Sequence, residues 1–156
     1  MKATGRKSVL IVDDDTFFIT ALNHILRPDY SVYVAKDGGS AIKQAIKEQP
    51  DVILLDVLMS GLDGYDVITE LKSSERTWYI PIIVIGGFDS VRSADRGLAL
   101  GAADYLAKPF HISTVKTKVK TQITLNERVR QRLSEERELR SSGLARSGIG
   151  KIERTF

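Results

Sequence analysis

Five short apolar runs alternate with five segments whose apolar residues recur at helical spacing. Residues 7–12 read as a buried strand. A helix over 16–26 follows, with Phe17, Ala21, Leu22 and Ile25 at helical spacing and Pro28 just past its end. A second strand is predicted at 31–35 and a second helix at 39–48, with Ile42, Ala45 and Ile46 inward. Residues 51–55 are almost continuously apolar, as suits a strand covered on both faces. Gly61 and Gly64 punctuate a loop before a helix from about Tyr65 to Ser73. A fourth strand, 80–85, leads into Gly86-Gly87. The fourth helix, 90–100, is closed by Gly101 as its C′ residue, and a fifth strand, 104–107, stops at Pro109.

Five strand–helix units in this length predict a doubly wound parallel sheet. Right-handed crossovers place helices on both of its faces. Ligands in such sheets sit beyond the carboxyl ends of the strands, and three runs deliver ionisable side chains there. Val9 to Val12 precede Asp13, Asp14 and Asp15; Val52 to Leu55 precede Asp56; Tyr105 to Ala107 precede Lys108-Pro109. Carboxylates gathered in one crevice repel each other unless a cation sits among them, and a neighbouring lysine suits an anion. This is the charge layout of a site that holds a divalent metal together with a phosphoryl group.

The last predicted helix runs on. From Ile112 to about Arg140 the chain has neither glycine nor proline, roughly 40 Å of helix at 1.5 Å per residue. Ile112, Val115, Val119 and Ile123 are expected to face the sheet. Beyond them Leu125, Val129, Leu133 and Leu139 form a thin apolar stripe among charges. Such a stripe suits a two-stranded coiled coil or a signalling linker, and equally a helix that stands alone. The layout read from the chain is a domain at 7–125, a helical extension at 126–140 that is a candidate coiled-coil linker, and a Gly/Ser-rich flexible tail at 141–156.

Charge is unevenly spread. Residues 1–110 carry 12 Lys+Arg against 15 Asp+Glu, whereas 111–156 carry 11 against 5. A basic segment can touch nucleic acid or anionic lipid, but Glu127, Glu135, Glu136 and Glu138 are interleaved with the cations, which favours a solvated helix. No recognition helix stands out, so sequence-specific DNA binding is not expected. The chain has no cysteine, hence no disulfide framework and no thiolate site. No apolar run approaches the roughly 20 residues that span a bilayer, and the basic start lacks the apolar stretch of a signal peptide. A cytoplasmic, membrane-free protein is the expectation. His24 and His111 are expected at the surface, and Asp15 and Asp63 as helix caps.

The residues around these strand ends resemble the receiver domain of two-component response regulators. The resemblance rests on Ile11-Val12-Asp13-Asp14-Asp15, on Leu54-Leu55-Asp56-Val57-Leu58-Met59 followed by Gly61-Leu62-Asp63-Gly64, and on Lys108-Pro109-Phe110. It implies a flavodoxin-like sheet in the order 2-1-3-4-5. It also implies that Asp56 accepts a phosphoryl group from a sensor histidine kinase or a phosphotransfer protein. Mg²⁺ is the implied cofactor, held by Asp14 and Asp56 directly, by Asp13 largely through water, and by the Leu58 carbonyl. Lys108 is implied to pair with a phosphoryl oxygen. No turnover of an external substrate is implied, and the long helix is the implied route to a partner, to an output domain or to a second copy in a homodimer. Magnesium is expected to alter Trp78 emission.

The chain departs from the family in one place that matters. Receivers carry Ser or Thr at the end of the fourth strand, where this chain has Gly86, followed by Gly87. Tyr105 retains the aromatic that swings inward as that hydroxyl moves, so the switch residues are present without their usual trigger. Ser60 stands where proline is common. Leu58 and Phe88 flank the expected site and are bulky enough to obstruct a hydrolytic water. Two other readings compete. One is a pseudo-receiver that binds partners regardless of phosphate. The other is a haloacid-dehalogenase-like phosphatase, in which Asp13 is nucleophile and Asp15 the acid/base; it lacks the second-strand hydroxyl and the late acidic pair.

Overall fold

The computed structural model describes residues 5–59, 63–87 and 90–143. Strands β1 (Ser8–Val12), β2 (Ser31–Ala35), β3 (Val52–Asp56), β4 (Ile82–Gly86) and β5 (Asp104–Ala107) alternate with five helices. These are α1 (Thr16–Leu26), α2 (Gly38–Glu48), α3 (Gly64–Ser73), α4 (Ser90–Ala99) and α5 (Ile112–Ser142). All strand pairs are parallel, in the order β2-β1-β3-β4-β5. This is the doubly wound, flavodoxin-like sheet expected. The order reverses between β1 and β3, so the carboxyl ends of those two strands flank the crevice in which such sheets bind ligands.

Alternation along the strands divides the core in two. Leu10, Val12, Ile53, Leu55, Ile82 and Val84 point to one face, against Ala41 and Ala45 of α2 and Val67, Ile68 and Leu71 of α3. Val9, Ile11, Val52, Leu54, Ile83 and Ile85 point to the other. There they meet Leu22, Ile25 and Leu26 of α1 and Val115, Val119 and Ile123 of α5. Central strands buried on both faces have no solvent side, which is why their sequences read as continuous apolar runs.

Several predicted boundaries move by one or two residues. Asp37 caps α2 through the Ser40 amide, so that helix opens at Gly38. Asp63 caps α3 through the Tyr65 amide, so that one opens at Gly64. β4 starts after Pro81, while Ile80 is buried in the preceding turn, its amide bonded to the Thr77 carbonyl. Two orientations are corrected outright. Phe17 is 72% exposed and Ile112 60% exposed, although both fit the inward spacing. Each sits in the first turn of its helix, at the end of the sheet, where the strands no longer lie beneath it.

Helix α5 is 31 residues long. Its contact with the body continues past Ile123 through a polar latch. The buried Asn126 amide donates to the Tyr79 carbonyl at 2.6 Å and accepts from Arg130 Nε at 3.3 Å. Arg130 also donates to the Pro50 carbonyl at 2.8 Å and pairs with the buried Asp51 at 3.4 Å. Asp51 in turn accepts the Ser8 amide of β1 at 2.7 Å. Among the described residues no helix is long and apolar enough to cross a membrane.

Candidate functional site

Strand geometry sets the site. β1 ends at Val12, paired with Leu55, and β3 ends at Asp56, paired with Ile85. The residues just past these ends therefore lie side by side. Asp13, Asp14 and Asp56 each present an oxygen within 4.8 Å of the others, a grouping able to hold a cation. Asp13 is fully buried and Asp56 nearly so, while Asp14 faces outward. From β5, Lys108 Nζ reaches Asp56 Oδ2 at 3.1 Å and Asp13 Oδ2 at 3.4 Å. The Lys108 amide donates to the Gly86 carbonyl at 2.8 Å, and the Lys108–Pro109 peptide is cis.

Backbone donors orient the carboxylates. The Asp15 amide donates to Asp13 Oδ1 and the Leu58 amide to Asp56 Oδ1, both at 2.9 Å. Each carboxylate thus turns one oxygen to its own backbone and the other to Lys108. Asp15 itself is occupied as the cap of α1, accepting from the Phe17 amide. The lysine is also held from outside, with its ammonium 3.7 Å from the centre of the Phe18 ring, a cation–π contact.

Three carboxylates share this crevice. Burial, more than anything else, pushes Asp13 up from 3.8 to about 6, and the neighbouring Asp56 charge adds to this. The Asp15 amide and Lys108 act in the opposite sense. A small divalent cation fits such a donor set: hard oxygens, clustered, with an outward-facing member through which water can stay bound.

Gly64 permits this arrangement, a role its place in the sequence does not reveal. A Cβ there would lie 2.5 Å from Val57 Cα and 3.0 Å from the Asp56 carbonyl oxygen. Only glycine lets the start of α3 lie against the residue that follows β3.

Two of the three residues expected to switch, Gly86 and Tyr105, meet. A Cβ at Gly86 would come within 3.0 Å of the Tyr105 ring and hydroxyl, and within 3.1 Å of Ser93 Cβ. Tyr105 thus occupies the space that a side chain at 86 would take. Its hydroxyl is buried and has no hydrogen-bond partner among the described residues. Gly87 faces Leu58 across the mouth, its Cβ position 3.6 Å from Leu58 Cδ1. Leu58 is 67% exposed, whereas Phe88 and Ser60, named above, lie outside the described residues. His24 and His111 are exposed, as expected. Trp78 precedes β4 and so lies at the opposite end of the sheet from Asp56. The expectation that its emission reports on magnesium has no structural support, because no strand end joins them.

Beside the mouth, Thr16, Phe17, Phe18, Pro109, Phe110 and Ile112 line part of a predominantly apolar concavity of about 710 Å³ between α1 and the start of α5. Phe17 stacks edge-on to Phe18, which touches Phe110 in turn. The two residues that broke the inward pattern, Phe17 and Ile112, both belong to this surface.

Comparison with known proteins agrees with this geometry. Residues 9–120 match the family model described as the response regulator receiver domain. Over 122 residues the chain is 38% identical to the alkaline phosphatase synthesis transcriptional regulatory protein PhoP of Bacillus subtilis, covering 78% of this chain and 50% of that protein. Over 102 residues it is 39% identical to the response regulator PleD of Caulobacter vibrioides, covering 65% of this chain and 22% of that one. The chain therefore spans half or less of these relatives' lengths. Among solved structures, the chemotaxis response regulator CheY4 of Vibrio cholerae superposes with a TM-score of 0.70 at 29% identity, over 75% of this chain and 98% of that one.

Proposed function

Because the chain belongs to the response regulator receiver domain family, we propose that it takes a phosphoryl group onto Asp56 from the phosphohistidine of a sensor kinase or phosphotransfer protein. The observation that carries this reading is the Asp56–Lys108 pair set among clustered carboxylates at the switch point of the sheet. Asp56 Oδ2 attacks phosphorus, the P–N bond to the donor imidazole breaks with its electron pair leaving on nitrogen, and an acyl phosphate forms. Lys108 exchanges its contact with Asp56 for a phosphoryl oxygen, which keeps the positive charge where negative charge develops. Asp13, Asp14, Asp56 and the Leu58 carbonyl are the residues that would hold Mg²⁺, which when bound neutralises carboxylate and phosphoryl charge alike. The apolar surface around Phe17, Phe110 and Ile112 adjoins Lys108 through Phe18 and Pro109 and suits the donor protein.

Signalling in this reading passes from Asp56 through Gly86, Gly87 and Tyr105 and along α5 to an output domain, a partner or a second copy. A phosphorylation-insensitive binding module is the second reading, favoured by one observation: Tyr105 already fills the space beside Gly86. The phosphatase reading is set aside. Its acid/base, Asp15, is spent on capping α1.

Treatment with acetyl phosphate and Mg²⁺ followed by intact-mass measurement tests the proposal. A gain of one phosphoryl group is expected, lost in Asp56→Asn and retained in Asp13→Asn when excess metal is supplied. In metal-free buffer Asp13→Asn removes one of the crowded charges, so we expect it to be more stable to urea by about 1–2 kcal/mol. An acyl phosphate that survives Asp56→Asn would refute the assignment.

A further inference from the structure

We propose that α5 pairs antiparallel with α5 of a second copy, with the two-fold axis at the level of Ser134, whose own side chain lies on the opposite side of the helix from the seam. Leu139 of each copy then sits in the groove between Trp78 and Val129 of the other. This deepens the reading of α5 as a pairing element given above.

Past Arg130 the helix is mostly exposed, and one line along it combines apolar and charged residues: Leu125, Val129, Arg132, Glu136 and Leu139. The intervals alternate between four and three, which keeps a line on one side of a helix and suits it to a helical partner. At 100° per residue, the line lies about 120° around the axis from the buried Val119, Ile123 and Asn126, so the body does not cover it. Leu125 is 53% exposed and Leu139 48%.

The two central positions decide orientation. In a parallel pair Arg132 would face Arg132 and Glu136 would face Glu136, like charges at the seam. In an antiparallel pair centred on Ser134, each residue meets the one equally far on the other side. Arg132 then faces Glu136 twice and Val129 faces Leu139 twice. Among the described residues neither side chain makes a hydrogen bond or ion pair within the chain itself, so both charges are available. Charge at seam positions selects register and direction in helical pairs.

The body supplies the rest. Trp78, Arg128, Val129, Arg132, Leu133 and Glu136 line a groove of about 270 Å³ along this side of α5, and Trp78 is 45% exposed. Leu139 of the second copy, lying opposite Val129, enters this groove and covers the Trp78 indole. So few layers bury less than the roughly 1,200 Å² of a standard interface, and affinity on the order of micromolar is expected.

The chain has no cysteine, so single cysteines can be placed in the full-length protein. Under mild oxidation, an equimolar mixture of Val129→Cys and Leu139→Cys should cross-link between copies, while neither variant should cross-link with itself. Sedimentation should show a dimer that Arg132→Glu or Glu136→Arg weakens about tenfold each and the double exchange restores. Far-UV circular dichroism guards against loss of helix, because the two residues are also one turn apart within α5. Trp78 emission should shift to the blue as concentration rises. Self-cross-linking of Val129→Cys would overturn the antiparallel register while leaving pairing intact. A monomer at about millimolar concentration, far above the expected dissociation constant, would overturn both.

Discussion

Replacing Gly86 by alanine tests whether Tyr105 holds its position because nothing occupies the space at 86. The new Cβ would meet the Tyr105 ring and hydroxyl at 3.0 Å and Ser93 Cβ at 3.1 Å, tighter than most real Cβ contacts, so a neighbour must give by a few tenths of an ångström. The obstacles are side chains rather than backbone, so the ring is displaced and the strand stays. Two effects oppose each other. Restricting the unfolded chain favours alanine by about 0.4–1 kcal/mol, since Gly86 is not among the positive-φ glycines. Overpacking costs about 1–3 kcal/mol. The net expectation is a loss of about 1 kcal/mol, largely relieved when Tyr105 is also cut to alanine and only the Ser93 contact remains. A double-mutant cycle by urea denaturation should therefore give a coupling of about 1–2 kcal/mol. The Tyr105 ring resonances should move in Gly86→Ala alone. Additive effects, or an unmoved ring, would refute the idea that an absent side chain seats Tyr105.

Two further outcomes follow from close contacts and burial. Gly64→Ala would place its Cβ 2.5 Å from Val57 Cα, where only backbone can yield. We expect a loss of about 2–3 kcal/mol together with weakened Mg²⁺ binding, read by thermal melting and by titration of the Asp56 amide; an unchanged melting point would contradict the contact. Lys72 donates to the Trp78 and Ile80 carbonyls at 2.9 and 2.8 Å, and burial lowers it from 10.5 to about 8. The unfolded chain then keeps this proton to higher pH than the folded one, so stability rises between pH 8 and 10 as the buried charge is shed. Discounted for partial exposure, the rise is about 1–2 kcal/mol, and it should vanish from urea midpoints in Lys72→Met. Parallel pH profiles for the two proteins would count against it.

The alternation of strands and helices could be read from the chain because both faces of the central strands are buried. Leu10, Ile53 and Ile83 had to be apolar whichever way they point. Asp13, Asp14, Asp56 and Lys108 were equally open to sequence reasoning, since a strand end is a local feature and ionisable residues directly after apolar runs mark it. Local spacing failed at Phe17 and Ile112. It shows which side of a helix is apolar, but not where the sheet beneath that side ends.

Other features depend on segments far apart in sequence and had no local signal. Gly64 reads as an ordinary loop glycine until its approach to Val57 is seen. Gly86 reads as a missing hydroxyl, whereas in the fold it is the space that Tyr105 fills. The Arg130–Asp51 pair joins residues on α5 and at the entry to β3, and Asp51 carries that tie on to Ser8 of β1. By itself the sequence determined which residues avoid water and which carry charge at the strand ends. Tertiary structure alone decided which of them touch, because strand order and helix placement arise from burying both faces of the sheet at once, a condition no single segment can express.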